Sequence, residues 1–339
     1  MNNRLILGIE SSCDDTSVAV LKGTRILANI THTQLIHEAY GGVVPELASR
    51  AHVEHIIPVV KRAIETAQIS IKDIDGIAFT QGPGLMGSLV VGTSFAKGLA
   101  LALNKPMVGV HHMKAHILSH FIAHEGMTEP NFPFLCLTVS GGHTQIVVVH
   151  DALTMEIIGK TIDDAAGEAF DKAAKMLGLP YPGGPLIDQY AKTGNPTIFQ
   201  FAEPKIPELN FSFSGLKTSI LYFLKKEVAK DPSFIEQHLN DLCASIQNSI
   251  TEILLNKLKK AQHQTGITSV AVSGGVSVNS GLRAKLKEWQ SSNPNLSVHL
   301  AHPSLCTDNA AMVAIIGAFM LEAGISHTQE ISADPKLPW

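Results

Sequence analysis

Two stretches of the chain share one polarity pattern. Residues 5–21 (LILGIESSCDDTSVAVL) and 134–150 (FLCLTVSGGHTQIVVVH) each run from an apolar arm through a small polar turn into a second apolar arm. Arms rich in leucine and β-branched residues around Ser, Gly, Asp and His read as a β-hairpin with a polar tip. The two stretches lie about 130 residues apart, far beyond the period of a solenoid repeat. They predict a duplicated domain, each half opening on a hairpin whose turn faces a common cleft.

The remaining periodicity fills in the halves. Residues 46–67 space Leu47, Val53, Ile56, Ile57, Val60 and Ile64 as a helix does, with Pro58 expected to kink or split it. IDGIAFT (74–80) reads as a buried strand ending at a GPG turn. Residues 87–103 form a helix loaded with Gly, Ala and Ser, suited to close packing against a neighbour. PMVGV (106–110) is a strand, followed by a helix from about His112. This β-β-α-β-α-β-α order is mixed α/β with helices on sheet faces. In the second half, 163–177 reads as helix, YPGGP (181–185) as a rigid turn and 187–191 as helix. Residues 195–213 read as irregular, and 214–262 as two or three inserted helices. SVAVSGGVSVN (269–279) is strand, glycine turn and helix start; 297–303 is the last strand and 308–323 the closing helix, before a short tail.

Length and composition narrow the class. A chain of 339 residues is about two domains, and 45% hydrophobic with 17% charged residues is ordinary globular composition. The net charge of −4 is wrong for a protein that coats nucleic acid unaided, so a nucleic-acid role needs a local patch or a helper. The five apolar-type residues before Glu10 are too few for a signal-peptide core, and no window offers about 18 uninterrupted apolar residues for a span. Cys13, Cys136, Cys243 and Cys306 are far apart and form no C-x-x-C pair. A cytoplasmic protein with reduced thiols and no membrane contact is expected.

Several constellations have chemistry to offer. His112 and His116, four apart in HHMKAH, put two imidazoles on one helical face, as a divalent metal requires. Met113 stands where a zinc protease would carry its general-base Glu. His120 continues the stripe as a third ligand or a surface residue, and the bland alternative is a helix with polar histidine faces. Asp308, opening the closing helix in CTDNAAM, reads as an N-cap or as the carboxylate of a two-His-one-carboxylate site, the set that suits iron.

The glycine turns SGGHT (140–144), PGGP (182–185) and SGGVSVN (273–279) leave backbone N–H groups unshielded, and three such turns suggest a nucleotide cleft. GPGLMGSLVVG lacks the Lys-Ser/Thr ending of a phosphate-binding loop and reads as a packing helix. Asp14, Asp15, Asp171 and Asp188 sit in or beside these turns. Asp171 falls mid-helix, where Asp is a poor helix former. Cys13 reads as a small buried thiol in preference to a nucleophile.

GIESSCDDTSVAVL, GGVVPELASRAH, TQGPGLMGSLVVG, GVHHMKAHILSH, VSGGHTQIV, DDAAGEAFDKAAKMLG, YPGGP, FSFSGLKTSI, SGGVSVNSGLR and CTDNAAMVA together resemble the tRNA adenosine threonylcarbamoyltransferase family, formerly described as O-sialoglycoprotein endopeptidases, over essentially the whole chain. The resemblance implies an α/β fold of the actin, Hsp70 and sugar-kinase kind: duplicated ribonuclease-H-like lobes around a central cleft. It implies a first lobe of 1–112 plus about 308–325, and a second of 113–307 with a helical insertion at about 190–262. A tail of 326–339 follows. It implies metal ligands at His112, His116 and Asp308, for one divalent metal per subunit, iron(II) before zinc(II). Substrate positions fall on Thr138, Val139, Ser140, Gly141, Gly142, Asp171, Gly184, Asp188 and Asn279. Thr138 departs mildly from the apolar residue frequent there.

The implied reaction moves the threonylcarbamoyl group from threonylcarbamoyl-AMP, held in the cleft where an adenine nucleotide also fits, to N6 of the adenosine 3′ of the anticodon. The tRNAs are those reading codons that begin with A, and AMP is released. Asp14 is the expected catalytic base, taking the amine proton. The implied partners are tRNA, a paralogous TsaB-type protein on the first lobe and a TsaE-type ATPase. Helices 46–67 and 87–103, with Ser88 and Gly92, offer the docking surface. Rival readings are an actin-like ATPase or small-molecule kinase, a metalloprotease, and a nucleotide-dependent scaffold without transfer activity.

Overall fold

The computed structural model describes residues 3–204 and 206–339. In chain order it holds β1 (Leu5–Glu10), β2 (Asp15–Lys22), β3 (Arg25–Thr33), α1 (Pro45–Ala67), β4 (Gly76–Gly82), α2 (Met86–Leu103), β5 (Met107–His111) and α3 (His112–Leu118). There follow β6 (Phe134–Val139), β7 (Thr144–Val149), β8 (Met155–Lys160), α4 (Ala166–Met176), α5 (Gly183–Ala191), α6 (Ser214–Val228), α7 (Phe234–Gln237) and α8 (Leu239–Thr265). The chain closes with β9 (Ser269–Ser273), α9 (Ser280–Ser291), β10 (Ser297–Leu300) and α10 (Ala310–Glu322).

Two compact units result: Pro130–Leu300 is one, and the chain up to Glu129 together with Ala301–Trp339 is the other. The first unit has the sheet β3-β2-β1-β4-β5, and the second has β8-β7-β6-β9-β10. In each, the first three strands form an antiparallel meander and the last two join in parallel. The shared order is the duplication that the paired hairpins predict.

The third meander strands, β3 and β8, are not in the sequence reading. Both lie at a sheet edge and are only partly buried, so each carries a mixture of apolar and polar residues in place of an apolar run. Helix α1 continues through Pro58, so the residue does not split it. Pro58 is exposed, so the carbonyl that its missing N–H would have bonded faces water. The predicted turn at 181–185 already begins α5 at Gly183. Residues 195–213 are irregular as expected (Lys205 lies outside the described residues), and three helices fill 214–262.

The unit boundaries fall at 129/130 and 300/301, not at 112/113 and 307/308. Helix α3 packs against α10 and β5, and so stays with the first unit. The segment after α10 is no loose tail. His327 bridges Met107 on the outer edge of β5, Lys97 Nζ donates to Ile331 O at 2.9 Å, and Asp334 N donates to Gln81 O at 2.9 Å. The ring of Trp339 meets His111 edge-on at 5.3 Å.

The first unit's core joins Leu7, Ile9, Val18, Val20 and Phe79 to Ile56 and Ala96. The second is built around Phe170, Phe211, Phe213 and Leu254. Helix α2 is long and apolar enough, by length and composition, to cross a membrane; here it packs against α1 and β4. Ser88 and Gly92 face inward: a Cβ on Gly92 would fall 2.2 Å from Ser11 Oγ, and Ser88 is fully buried. These two residues, expected on the docking surface, are therefore not exposed to a partner. The exposed apolar side chains beside them are Val53 and Ile57 on α1 and Met86, Val90 and Leu101 on α2.

Candidate metal centre and glycine-turn site

The ligand set is built where β5 hands over to α3. The His111 imidazole accepts the Met113 N–H at 3.2 Å, which starts the helix and leaves His112 in its first turn. One turn later comes His116, and the two rings stand 4.8 Å apart and nearly perpendicular. Asp308 arrives from the loop before α10. The N-cap of that helix is Asn309, whose side chain accepts the Met312 N–H at 3.1 Å, so capping is not what occupies Asp308. Asp308 Oδ1 lies 3.1 Å from His116 Nε2 and 3.5 Å from His112 Nε2.

The three residues each offer a ligand atom within 4.8 Å of the others. Two imidazole nitrogens and one carboxylate oxygen converging within 4.8 Å suit a divalent iron or zinc ion, so the residues fit the implied metal. His120, on the 3-10 turn after α3, is not part of this cluster among the described residues.

Sequence reasoning missed Glu10. It ends β1, is buried, and places Oε2 3.1 Å from His112 Nδ1. Its other contacts fix it: Ser12 N donates to Oε1 at 2.6 Å, and the Thr80 hydroxyl donates to Oε2 at 2.5 Å. Burial alone would push the His112 pKa down. Glu10 and Asp308 on its two sides outweigh that and raise it well above the usual imidazole range. Burial likewise pushes Glu10 and Asp308 upward, and the histidines more than reverse it, holding both carboxyls below their ordinary range. The only sequence signal for Glu10 is a carboxylate at the end of an otherwise apolar strand.

Asp14 lies in the β1–β2 turn, two residues beyond Ser12, whose Oγ is 3.2 Å from His112 Nδ1. The adjacent Asp15 starts β2. Burial pushes its carboxyl up to about 7, partly opposed by a hydrogen bond from Thr33. Cys13 is driven far up by burial and by Asp14, so it remains a thiol.

In the second unit, the expected substrate residues divide into those open to a ligand and those already engaged. Thr138 and Val139 are fully buried inside β6, with Thr138 Oγ1 accepting from Ser273 Oγ at 3.3 Å, so their side chains are structural. The turn proper is Ser140–Gly142: Ser140 N donates to His143 O at 2.8 Å, and His143 N donates to Ser140 Oγ at 3.2 Å. Gly141 and Gly142 are exposed, and a Cβ on either would meet nothing within 4 Å.

Asp171 Oδ1 accepts the N–H groups of Gly183 and Gly184 at 2.9 and 3.2 Å, which explains an Asp in the middle of α4: it caps α5 from a distance. Burial raises its pKa, against those two N–H groups. Gly184 has open space beyond Phe170. Asp188 accepts from Ser280 N and Oγ at 3.0 and 2.6 Å, and Asn279 caps α9 through Leu282 N at 3.0 Å. Gly274 is not open as the sequence reading expected. Its φ is +88°, and a Cβ there would meet Val139 O at 2.4 Å.

One rule of position covers both clusters. Glu10 and His112 stand at the carboxyl ends of β1 and β5, and Ser140 and Gly274 at the carboxyl ends of β6 and β9. These are the ends of parallel strands, where open α/β sheets bind ligands.

Among solved structures, component A of (R)-2-hydroxyglutaryl-CoA dehydratase from Acidaminococcus fermentans aligns with 94% of this chain and 99% of its own (TM-score 0.55, 16% identity). HypF, solved full-length with phosphate and nucleotide bound, aligns with 95% of this chain and 47% of its own (TM-score 0.61, 15% identity). At these identities the likeness is one of fold. Topology and neighbours define a fold of the actin, Hsp70 and sugar-kinase kind, two units of one strand order, here carrying a His-His-carboxylate cluster.

Within that class the chain belongs to the TsaD family, tRNA N6-adenosine threonylcarbamoyltransferase, whose model matches residues 25–315. The enzyme of that name from Christiangramia forsetii is 58% identical over 318 residues, covering 92% of each chain.

Proposed function

We propose that the chain transfers the threonylcarbamoyl group from threonylcarbamoyl-AMP to N6 of the adenosine 3′ of the anticodon, in tRNAs reading codons that begin with A, and releases AMP. The observation that carries this reading is the His112–His116–Asp308 cluster in a chain of this family. A divalent metal, iron(II) before zinc(II), held by these three residues would supply Lewis acidity to a donor oxygen.

The chain's own groups do the rest. The backbone N–H groups of Gly141 and Gly142, in a turn open to a ligand and closed by Ser140 N–H on His143 O, hold phosphate or developing oxyanion charge. Gly184 leaves room for the donor, and Asp171, Asp188 and Asn279 keep the surrounding helix starts in place while offering their remaining polar atoms. Asp14 takes the proton from the attacking amine. The raised pKa of Asp15 favours a second reading, in which that residue is the base, and comparison of D14N with D15N separates the two. The acidic net charge supports dependence on helpers in a cytoplasmic setting: a TsaB-type protein on the exposed apolar faces of α1 and α2, and a TsaE-type ATPase.

The test is reconstitution from purified chain, threonylcarbamoyl-AMP and transcript tRNA, with and without partners, reading the modified nucleoside by mass. His112→Ala and His116→Ala are expected to lose most bound metal and all detectable transfer while keeping a native circular-dichroism spectrum. Full metal occupancy or undiminished transfer in the double variant sinks the assignment.

A further inference from the structure

We propose that Glu10 is a positioning residue that fixes the tautomer and ring angle of His112, so that His112 presents Nε2, and not Nδ1, to a divalent cation. The inference rests on the metal reading above and adds to it.

The argument is one of donors and acceptors. An ionised carboxylate only accepts hydrogen bonds. Glu10 Oε2 lies 3.1 Å from His112 Nδ1, so Nδ1 carries the proton and donates it. Nε2 is then the nitrogen that faces Asp308 Oδ1 and the His116 ring, and the one that gives up its proton to expose a lone pair when a cation binds. Ser12 Oγ, 3.2 Å from the same nitrogen, can only share the Nδ1 proton as a further acceptor.

Glu10 itself has no freedom to turn. Ser12 N–H holds one oxygen, Thr80 hydroxyl holds the other, and the side chain is buried. Thr80 is also buried and lies near the carboxyl end of β4, beside β1 and β5 in the sheet. Three neighbouring strand ends therefore set one ring. A carboxylate behind a ligating imidazole also raises the basicity of the nitrogen facing the metal.

Glutamine cannot reproduce this arrangement. Both oxygens of Glu10 receive donors, so an amide NH2 on either side opposes Ser12 N–H or the Thr80–His112 pair. Facing His112, the amide would favour the Nε2–H tautomer and bury the lone pair on the wrong side.

The experiment is cobalt(II) titration of the full chain, followed by visible absorption. Loss of such a carboxylate should weaken cobalt binding by about 10- to 100-fold in Glu10→Gln, with circular dichroism unchanged. Ser12→Ala, which keeps the carboxylate and the N–H that holds it and removes only the shared acceptor, should lose far less cobalt affinity than Glu10→Gln. Nitrogen-15 histidine NMR of the unsubstituted zinc-loaded chain gives a readout independent of folding of the variant. His112 should show a protonated Nδ1 and a metal-bound Nε2. Wild-type cobalt affinity in a folded Glu10→Gln overturns the proposal, as does a zinc-bound Nδ1. If the parent chain binds neither cobalt nor zinc, the metal reading fails and the role of Glu10 falls with it. If the parent binds and Glu10→Gln binds equally, only the role of Glu10 fails.

Discussion

Asp15 shows what burial does to one side chain. Its Oδ1 is buried without a hydrogen-bond partner, and its pKa sits at about 7 in place of the ordinary carboxylate range. Between that range and pH 7 the folded chain binds more protons than the unfolded chain, so this residue lowers stability as pH rises, and its cost is complete above about pH 7. Asp15→Asn should therefore melt higher than the parent at pH 8, by a few degrees, with the gap closing toward pH 4. Scanning calorimetry of both chains across this range checks it, and a gap that widens toward acid contradicts it. His112 and His116 were legible in the sequence because helical spacing alone puts them on one face. Glu10 was not, because its contact with His112 joins a strand end to a helix start 102 positions away in the chain, and no local pattern reports that.

Helices and strands were legible where their apolar residues kept one period. Helix α1 is of that kind, while both hairpins and α10 were legible as uninterrupted apolar runs and α2 by its small residues; the edge strands β3 and β8, part exposed, mix their polarity and hid as loops. Capping also escaped local reading wherever the cap came from elsewhere, as with Asp171 holding the start of α5. Asp171→Ala should destabilise the chain by about 1 kcal/mol, the usual worth of a cap. Asp171→Asn keeps an acceptor oxygen and should hold nearly all of that stability. Thermal unfolding of the pair measures the capping role; a fall in donor binding by Asp171→Asn at unchanged melting temperature would then report contact with the ligand. Equal melting of Ala variant and parent would remove the cap from the account.

At the scale of the whole molecule, the duplication was legible from two matching hairpins, and the outcome is two sheets of one strand order. The unit boundaries were not, because they depend on which sheet a helix packs against. Ser88 and Gly92 were expected to face a partner, but small residues mark where a helix packs closely, and α2 spends these two on Ser11 and Cys13 beneath it. The exposed Ile57 and Val90 are the better targets. Ile57→Glu or Val90→Glu should abolish binding of the TsaB-type partner in calorimetry without altering metal content, and should lower turnover in the reconstituted system. Robust multiple turnover by the unaccompanied chain at physiological salt would contradict the dependence on partners.

The segment that returns along β5 has a further consequence. Strand β5 is the last of its sheet, and without that segment its outer edge would carry unanswered N–H and C=O groups. His327 answers them through its backbone pairing with Met107 and through its ring, which accepts the Gly109 N–H at 3.1 Å. A bare edge is a template on which another polypeptide can add a strand. The final residues thus guard the molecule against its neighbours in a crowded solution, a service owed to colloidal stability and separate from any turnover.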